Sequence, residues 1–201
     1  MIHLNKWKAI DFNMADIGVF LKKYSKYQTT FKVTSYDNNN KEYVCSDELN
    51  HNINFDEIIA NIYPNSLEYR PKSFDSIYVY ENIIYCIEFK NEKKPDKEDI
   101  EEKLVSGKKE LDKLLAELNI QKNDYKFIFC LVYNIHKPKY ERHKRGVTSY
   151  SIKEHLQKHK ESKFIDDIFT EDVKFFSTKF KEKTKSELEC KDDSDENILG
   201  N

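Results

Sequence analysis

Residues 70–91, RPKSFDSIYVYENIIYCIEFKN, hold two β-branched and aromatic runs parted only by Glu81 and Asn82. Such runs around a short polar break predict a tight β-hairpin. With a two-residue loop at Glu81 and Asn82, Tyr80 faces Ile83, and counting outward sets Asp75 opposite Glu88. Directly opposed residues point to the same side of a sheet, with Cβ atoms about 4.5–5.5 Å apart. The period of two brings Lys90 to that side as well. Two acids opposed in an apolar strand pair repel, and burying them unpaired is costly, so the pattern demands compensating positive charge. A hard cation such as Mg²⁺ or Mn²⁺, held by one or two carboxylates plus water and phosphate, supplies it. The Lys90 ammonium is a second source.

The flanks read as a mixed α/β chain. Ile17, Phe20, Leu21 and Tyr24 recur at helical spacing within 13–27. Residues 30–36 and 42–45 alternate around the turn residues 37–40, which predicts a hairpin. A short helix fits 55–63, with Asn54 as its cap and Pro64 closing it. Residues 97–118 carry Ile100, Leu104, Leu111, Leu114, Leu115 and Leu118 on one stripe, a long amphipathic helix. Residues 125–133, YKFIFCLVY, form a nearly continuous apolar run, as expected of a strand covered on both faces. Residues 150–159 are expected to be helical, and 164–180 are aromatic enough to dock as helix or strand. The last twenty residues, 182–201, are acid-rich and read as a disordered tail.

Asp75, a gap of twelve residues, then Glu88-Phe89-Lys90 resembles the D-x(n)-(D/E)-x-K signature of the PD-(D/E)XK nuclease superfamily. That superfamily's core runs helix, three antiparallel strands, helix, strand. The order of 55–63, the hairpin with one preceding strand, 97–118 and 125–133 is similar, so the resemblance covers about 54–134. It implies a restriction-endonuclease-like α/β (α+β) fold, a central mixed sheet flanked by helices. It further implies that Asp75, Glu88 and the backbone carbonyl of Phe89 bind Mg²⁺ or Mn²⁺, with Lys90 as the catalytic lysine. Glu57 matches, more weakly, an additional acid that many members carry, for which Asp56 and Glu68 are equally available. Phe74, where many members have proline, precedes Asp75.

Composition narrows the partners. With 34 Lys and Arg against 36 Asp and Glu the net charge is −2, so nucleic acid is not bound through bulk charge and a local patch is required. Residues 136–163 are the most basic stretch, and Lys137, Lys139, Arg142, Lys144 and Arg145 are the candidate phosphate contacts. Four glycines, at 18, 107, 146 and 200, build neither a P-loop nor a dinucleotide fingerprint, and no GxSxG elbow occurs. His155 and His159 lack the glutamate of a zinc-protease helix, and the four cysteines, at 45, 86, 130 and 190, form no CxxC pair.

The expectation is one nuclease-like domain over 1–181, with an N-terminal helix and hairpin extension at 1–50 and a basic part at 136–181. With no long apolar run, no signal-like start and reduced thiols, it is expected to be intracellular and cytoplasmic. The expected activity is metal-dependent endonuclease cleavage of nucleic acid, DNA ahead of RNA, and a homodimer would bring two such sites to a duplex. Two rivals stay open. One is an inactive nuclease-fold module binding nucleic acid or protein. The other is an interaction protein in which Glu88 and Lys90 belong to a solvated edge continuous with residues 91–94.

Overall fold

The computed structural model describes residues 14–64, 70–91, 95–134 and 141–188, with only the backbone path of 14–16, 141–150 and 174–175 included. In chain order the elements are α1 (Met14–Lys23), β1 (Gln28–Thr30), α2 (Phe31–Thr34), β2 (Tyr36–Asp37), β3 (Glu42–Tyr43), β4 (His51–Asn54), α3 (Phe55–Ile62), β5 (Ser76–Tyr80), β6 (Ile83–Lys90), α4 (Lys97–Glu117), β7 (Lys126–Tyr133), α5 (Glu141–Glu161), β8 (Asp167–Asp172) and α6 (Val173–Thr184). Six strands form one mixed sheet in the order β1-β4-β5-β6-β7-β8, and β2 pairs with β3 apart from it. The strands from β1 to β6 are antiparallel neighbours, while β6, β7 and β8 run parallel through the crossover helices α4 and α5. The expected central mixed sheet flanked by helices is therefore present.

Alternation along the strands divides the core in two. Ile77, Val79, Ile84, Cys86, Phe127, Phe129 and Leu131 pack with α1, α3, α4 and α5 on one face. Tyr78, Tyr85, Ile87, Phe89, Cys130 and Val132 pack with Phe31, Val44, Phe176 and Phe180 on the other. Parallel β7 is covered on both faces, which is why its sequence is apolar after the exposed Lys126. Cys45, Cys86 and Cys130 are buried thiols. No helix among the described residues is long and apolar enough to cross a membrane.

The β5–β6 hairpin has the expected register, Tyr80 opposite Ile83 through to Ser76 opposite Ile87, with Glu81 taking a left-handed φ of 52° at the turn. Several expectations need correction. Residues 31–34 are a helical turn, not a strand, because that turn seats Phe31 among the rings of Tyr78, Phe89 and Phe180 at 5.7, 6.4 and 5.5 Å while leaving Val33 exposed. Only residues 36–37 and 42–43 pair as a hairpin. The third antiparallel strand beside the hairpin is β4, which precedes α3 in the chain, whereas the superfamily order puts three strands after that helix. Within the N-terminal part, β1 joins the main sheet at its edge, paired with β4. Order also runs into the expected tail. Helix α6 reaches Thr184, and Leu188 is buried in the second core, while 189–201 lie outside the described residues.

Candidate active site

The site lies where the β5–β6 ladder ends. Ser76 opposite Ile87 is the last backbone pair, and the next rung is made by a side chain: the Phe89 N–H donates to Asp75 Oδ2 at 2.6 Å. Asp75 is held from behind as well, its carbonyl accepting the Phe55 N–H at the start of α3, 3.0 Å away. Along β6 the Asn82 and Lys90 carbonyls accept from Lys126 and Asn134 on the β7 side, so even-numbered residues turn their peptide groups to β7. The odd-numbered ones, Phe89 included, turn theirs to the β5 edge where Asp75 sits.

Glu88 shares the α4 face with Cys86 and is 1% exposed. Its Oε1 accepts from Lys103 Nζ at 2.6 Å and stands 3.4 Å from Lys90 Nζ, while its Oε2 is buried with no hydrogen-bond partner. Lys90, with a side chain 13% exposed, also reaches Asp99 Oδ2 at 3.1 Å, and Lys72 meets the other Asp99 oxygen at 2.9 Å. Asp75, Glu88, Phe89, Lys90 and Lys103 line one cavity of about 350 Å³, closed on its far side by residues 34–40. Glu88 and Lys90 are thus no solvated edge.

Helix α4 supplies what the hairpin lacks. Its start is fixed by Asp96, whose side chain accepts the Glu98 N–H at 2.9 Å. Asp99, Lys103 and Gly107 follow at intervals of four, one row along the helix, bordering the apolar stripe of Ile100, Leu104 and Leu111. Gly107 lets this row come close. A Cβ there would sit 2.8 Å from ring carbons of Phe74, the residue before Asp75, which itself stacks on Phe55 with ring centroids 4.7 Å apart.

The charges are unequal in effect. Burial, then the negative charge of Glu88, push the Asp75 carboxyl well above its ordinary range, with Lys103 and the Phe89 N–H pulling back only in part. Burial also raises Glu88 against the pull of Lys103 and Lys90. Burial works against the Lys103 ammonium too, yet Glu88 and Asp75 outweigh it and leave its pKa raised. For Asp99 burial is likewise the largest influence, but hydrogen bonds from Lys72 and Lys90 overcome it and hold the carboxyl low.

These oxygens fit a hard cation. Glu88 Oε2 offers buried, unused lone pairs next to Asp75 and the Phe89 peptide, the donor chemistry that Mg²⁺ or Mn²⁺ takes together with water. Among the described residues no group of three or more His, Cys, Asp and Glu side chains converges to hold an ion, so protein ligation would rest on this pair and the Phe89 carbonyl. Glu57 is not brought in. Exposed on α3, it forms a cap with Asn54, its N–H donating to Asn54 Oδ1 at 3.1 Å. The acid of that turn that bears on Asp75 is Asp56, bonded to Ser73 Oγ at 2.7 Å.

Of the five candidate phosphate contacts, Lys137 and Lys139 lie outside the described residues, and Arg142, Lys144 and Arg145 fall in the first turns of α5. Lys97, the first residue of α4, donates to Ser151, and Glu101 meets His155, Lys158 and His159 at 2.6, 2.7 and 2.7 Å. Helix α5 therefore lies beside α4 only from about residue 151 onward. Residues 141–150 run on past the start of α4 for about 15 Å at 1.5 Å per residue. Because Asp99 in the first turn of α4 meets Lys90 at the end of β6, that overhang lies beyond the carboxyl end of β6.

Lys103 and Asp99 were not singled out by the sequence motif. The signal available for them is their position in the row that ends at Gly107. No protein-family model matches the chain, and no curated protein or solved structure matches it either.

Proposed function

We propose that the chain is a metal-dependent phosphodiesterase that cleaves nucleic acid, with DNA ahead of RNA, and that its resemblance to the PD-(D/E)XK superfamily reflects this chemistry. The observation that carries the reading is the buried, unpartnered Oε2 of Glu88 beside Asp75 and two lysines in one cavity. The position agrees with the general rule that open sheets with parallel strands bind ligands beyond the carboxyl ends of those strands.

Asp75, Glu88 and the Phe89 carbonyl would hold Mg²⁺ or Mn²⁺, which when bound activates water and neutralises charge on a phosphoryl group. Asp75 is kept in place by the Phe89 and Phe55 amides. Lys103 orients Glu88 through Oε1 and leaves Oε2 free. Lys90, steadied by Asp99, presents its ammonium where negative charge develops on a phosphate oxygen. The basic first turns of α5 extend past this edge and are positioned to track a phosphate backbone.

Plasmid and oligonucleotide cleavage with Mg²⁺ or with EDTA tests the reading. Wild type is expected to cut only with metal, and Asp75→Ala and Lys90→Ala to be inactive. Unchanged metal-dependent cleavage in either variant removes the assignment. One observation favours a second reading, a nuclease-fold binding module without catalysis: Lys103 already compensates Glu88 at 2.6 Å. Such a module would bind nucleic acid equally with and without Mg²⁺ and cut nothing.

A further inference from the structure

The far wall of the cavity is the β2–β3 hairpin, with Tyr36, Asp37, Asn38, Asn39 and Asn40 lining the same volume as Glu88 and Lys90. This wall is fastened to the site. Asn40 Nδ2 donates to the Asn91 carbonyl at 3.2 Å, and Asn91 Nδ2 donates to Glu42 Oε2 at 3.1 Å, tying the hairpin to the residue after Lys90. Asp37 organises the tip by accepting from the Asn39 N–H at 2.8 Å and from Asn40 Nδ2 at 2.6 Å.

Several groups remain unspent. Tyr36 packs on Tyr43 with ring centroids 4.8 Å apart, yet the two residues stay 37% and 44% exposed. Asn38 and Asn39 are exposed, and among the described residues their side-chain amides make no hydrogen bond within the protein. Cross-strand packing accounts for the aromatic pair as a hairpin brace. It does not account for free amides and a half-exposed tyrosine on residues that line the same cavity as Glu88, whose Oε2 is buried and unpartnered.

Access decides what fits. Glu88 is almost wholly buried, so a phosphodiester must enter the cavity instead of passing over its rim. At about 350 Å³ the space is near the lower end for small-ligand sites. A stiff duplex, with its bases stacked inside, cannot offer base and phosphate together to so small a space, whereas an unpaired nucleotide turned inward can. Building on the phosphodiesterase reading, we infer that the β2–β3 hairpin reads one unpaired nucleotide, making single-stranded nucleic acid, or an unpaired stretch within a duplex, the substrate class. Tyr36 stacks on the base, the Asn38 and Asn39 amides meet its edge, and the attached phosphate lies toward Lys90. Stacking tolerates any base, while the amides, each donor and acceptor, add a preference.

Fluorescence anisotropy of the full chain in EDTA tests this with three labelled probes: an oligothymidylate, an abasic oligomer of equal length and charge, and a perfect duplex. Wild type is expected to bind the oligothymidylate roughly tenfold more tightly than the abasic oligomer. Tyr36→Ala abolishes that difference by weakening the oligothymidylate alone, and Tyr36→Phe preserves it. The double substitution Asn38→Ala, Asn39→Ala touches no bond within the fold and is expected to weaken the oligothymidylate severalfold, leaving the abasic probe unchanged. Equal wild-type binding of the two oligomers, tightest binding of the duplex, or equal losses on both oligomers in the variants overturns the inference. Cleavage with Mg²⁺, followed in parallel, addresses the other claim: base-dependent binding without any cutting supports the hairpin reading and overturns the phosphodiesterase.

Discussion

Glu88 and Glu101 both meet cations at hydrogen-bonding distance around α4, yet their carboxyls move in opposite directions. Glu88 contacts Lys103 and Lys90 but is 1% exposed, and burial wins, so its pKa is raised. At Glu101 burial also pushes upward, but its side chain is 21% exposed and Lys158, His159 and His155 overcome the cost, holding it at about 2. Glu101 is spent, both oxygens engaged in joining α4 to α5. Glu88 keeps one buried oxygen unengaged. The comparison separates a carboxylate that fastens two helices from one that leaves a buried oxygen without a hydrogen-bond partner, although both are glutamates among lysines.

The largest expected effect concerns the cavity around Glu88. Removing the Lys90 ammonium or the Asp75 carboxylate should lower cleavage roughly a hundredfold or more, by analogy with the loss of one transition-state donor. Glu101→Gln should leave the cleavage rate within a few-fold of wild type. Equal losses at both places, measured on one oligonucleotide, would erase the distinction.

Next is the approach of α4. Gly107→Ala drives a methyl against the Phe74 ring, where a Cβ would stand 2.8 Å away. Overpacking of this kind costs about 1–3 kcal/mol. Thermal unfolding should show the loss, and cleavage should fall beyond it because Lys103, one turn earlier, shifts from Glu88. Full activity in a destabilised Gly107→Ala protein would show that the row 99–103–107 does not set the site.

The third pair of effects differs in sign. A carboxyl raised by folding binds its proton more tightly in the native state, so stability without metal falls as pH climbs from the ordinary carboxylate range through the raised value. Asp75→Asn, which keeps an acceptor for the Phe89 N–H, should therefore raise the metal-free Tm at neutral pH. It should also flatten the decline, while abolishing stabilisation by Mg²⁺. Glu101, lowered from 4.5 to about 2, contributes stability that is complete above 4.5 and lost as pH falls toward 2. Glu101→Gln should cost up to about 1 kcal/mol near neutrality, the range of partly exposed pairs, and the deficit should vanish in acid. Melting curves of both variants across pH check the signs.

Much of this was legible in residues. The hairpin register followed from an uninterrupted pattern around Glu81 and Asn82, and α4 and β7 from a helical stripe and a doubly covered run. Local patterns failed where distant partners decided. Phe31, Val33 and Ser35 alternate like a strand, but the ring cluster beneath Phe31 and the Ser35 hydroxyl, which bonds the Cys45 backbone at 2.9 Å, favour a helical turn. His51–Asn54 carries no strand signal of its own because its four residues hold one apolar side chain, and its pairing comes from β1 and β5. Within the site, Asp75, Glu88 and Lys90 were legible because they sit on one hairpin. Lys103 was not, since only the fold brings it against Glu88. Glu57 stands in the cap of α3, and in sequence a capping acid and a ligand look alike.

The most direct test is calorimetric titration of Mn²⁺ into the wild-type chain and into Glu88→Ala at neutral pH. A stoichiometric site in wild type that disappears in Glu88→Ala is the predicted result. Either no site in wild type, or the same site in both proteins, would contradict the claim that Asp75 and Glu88 are held for a cation.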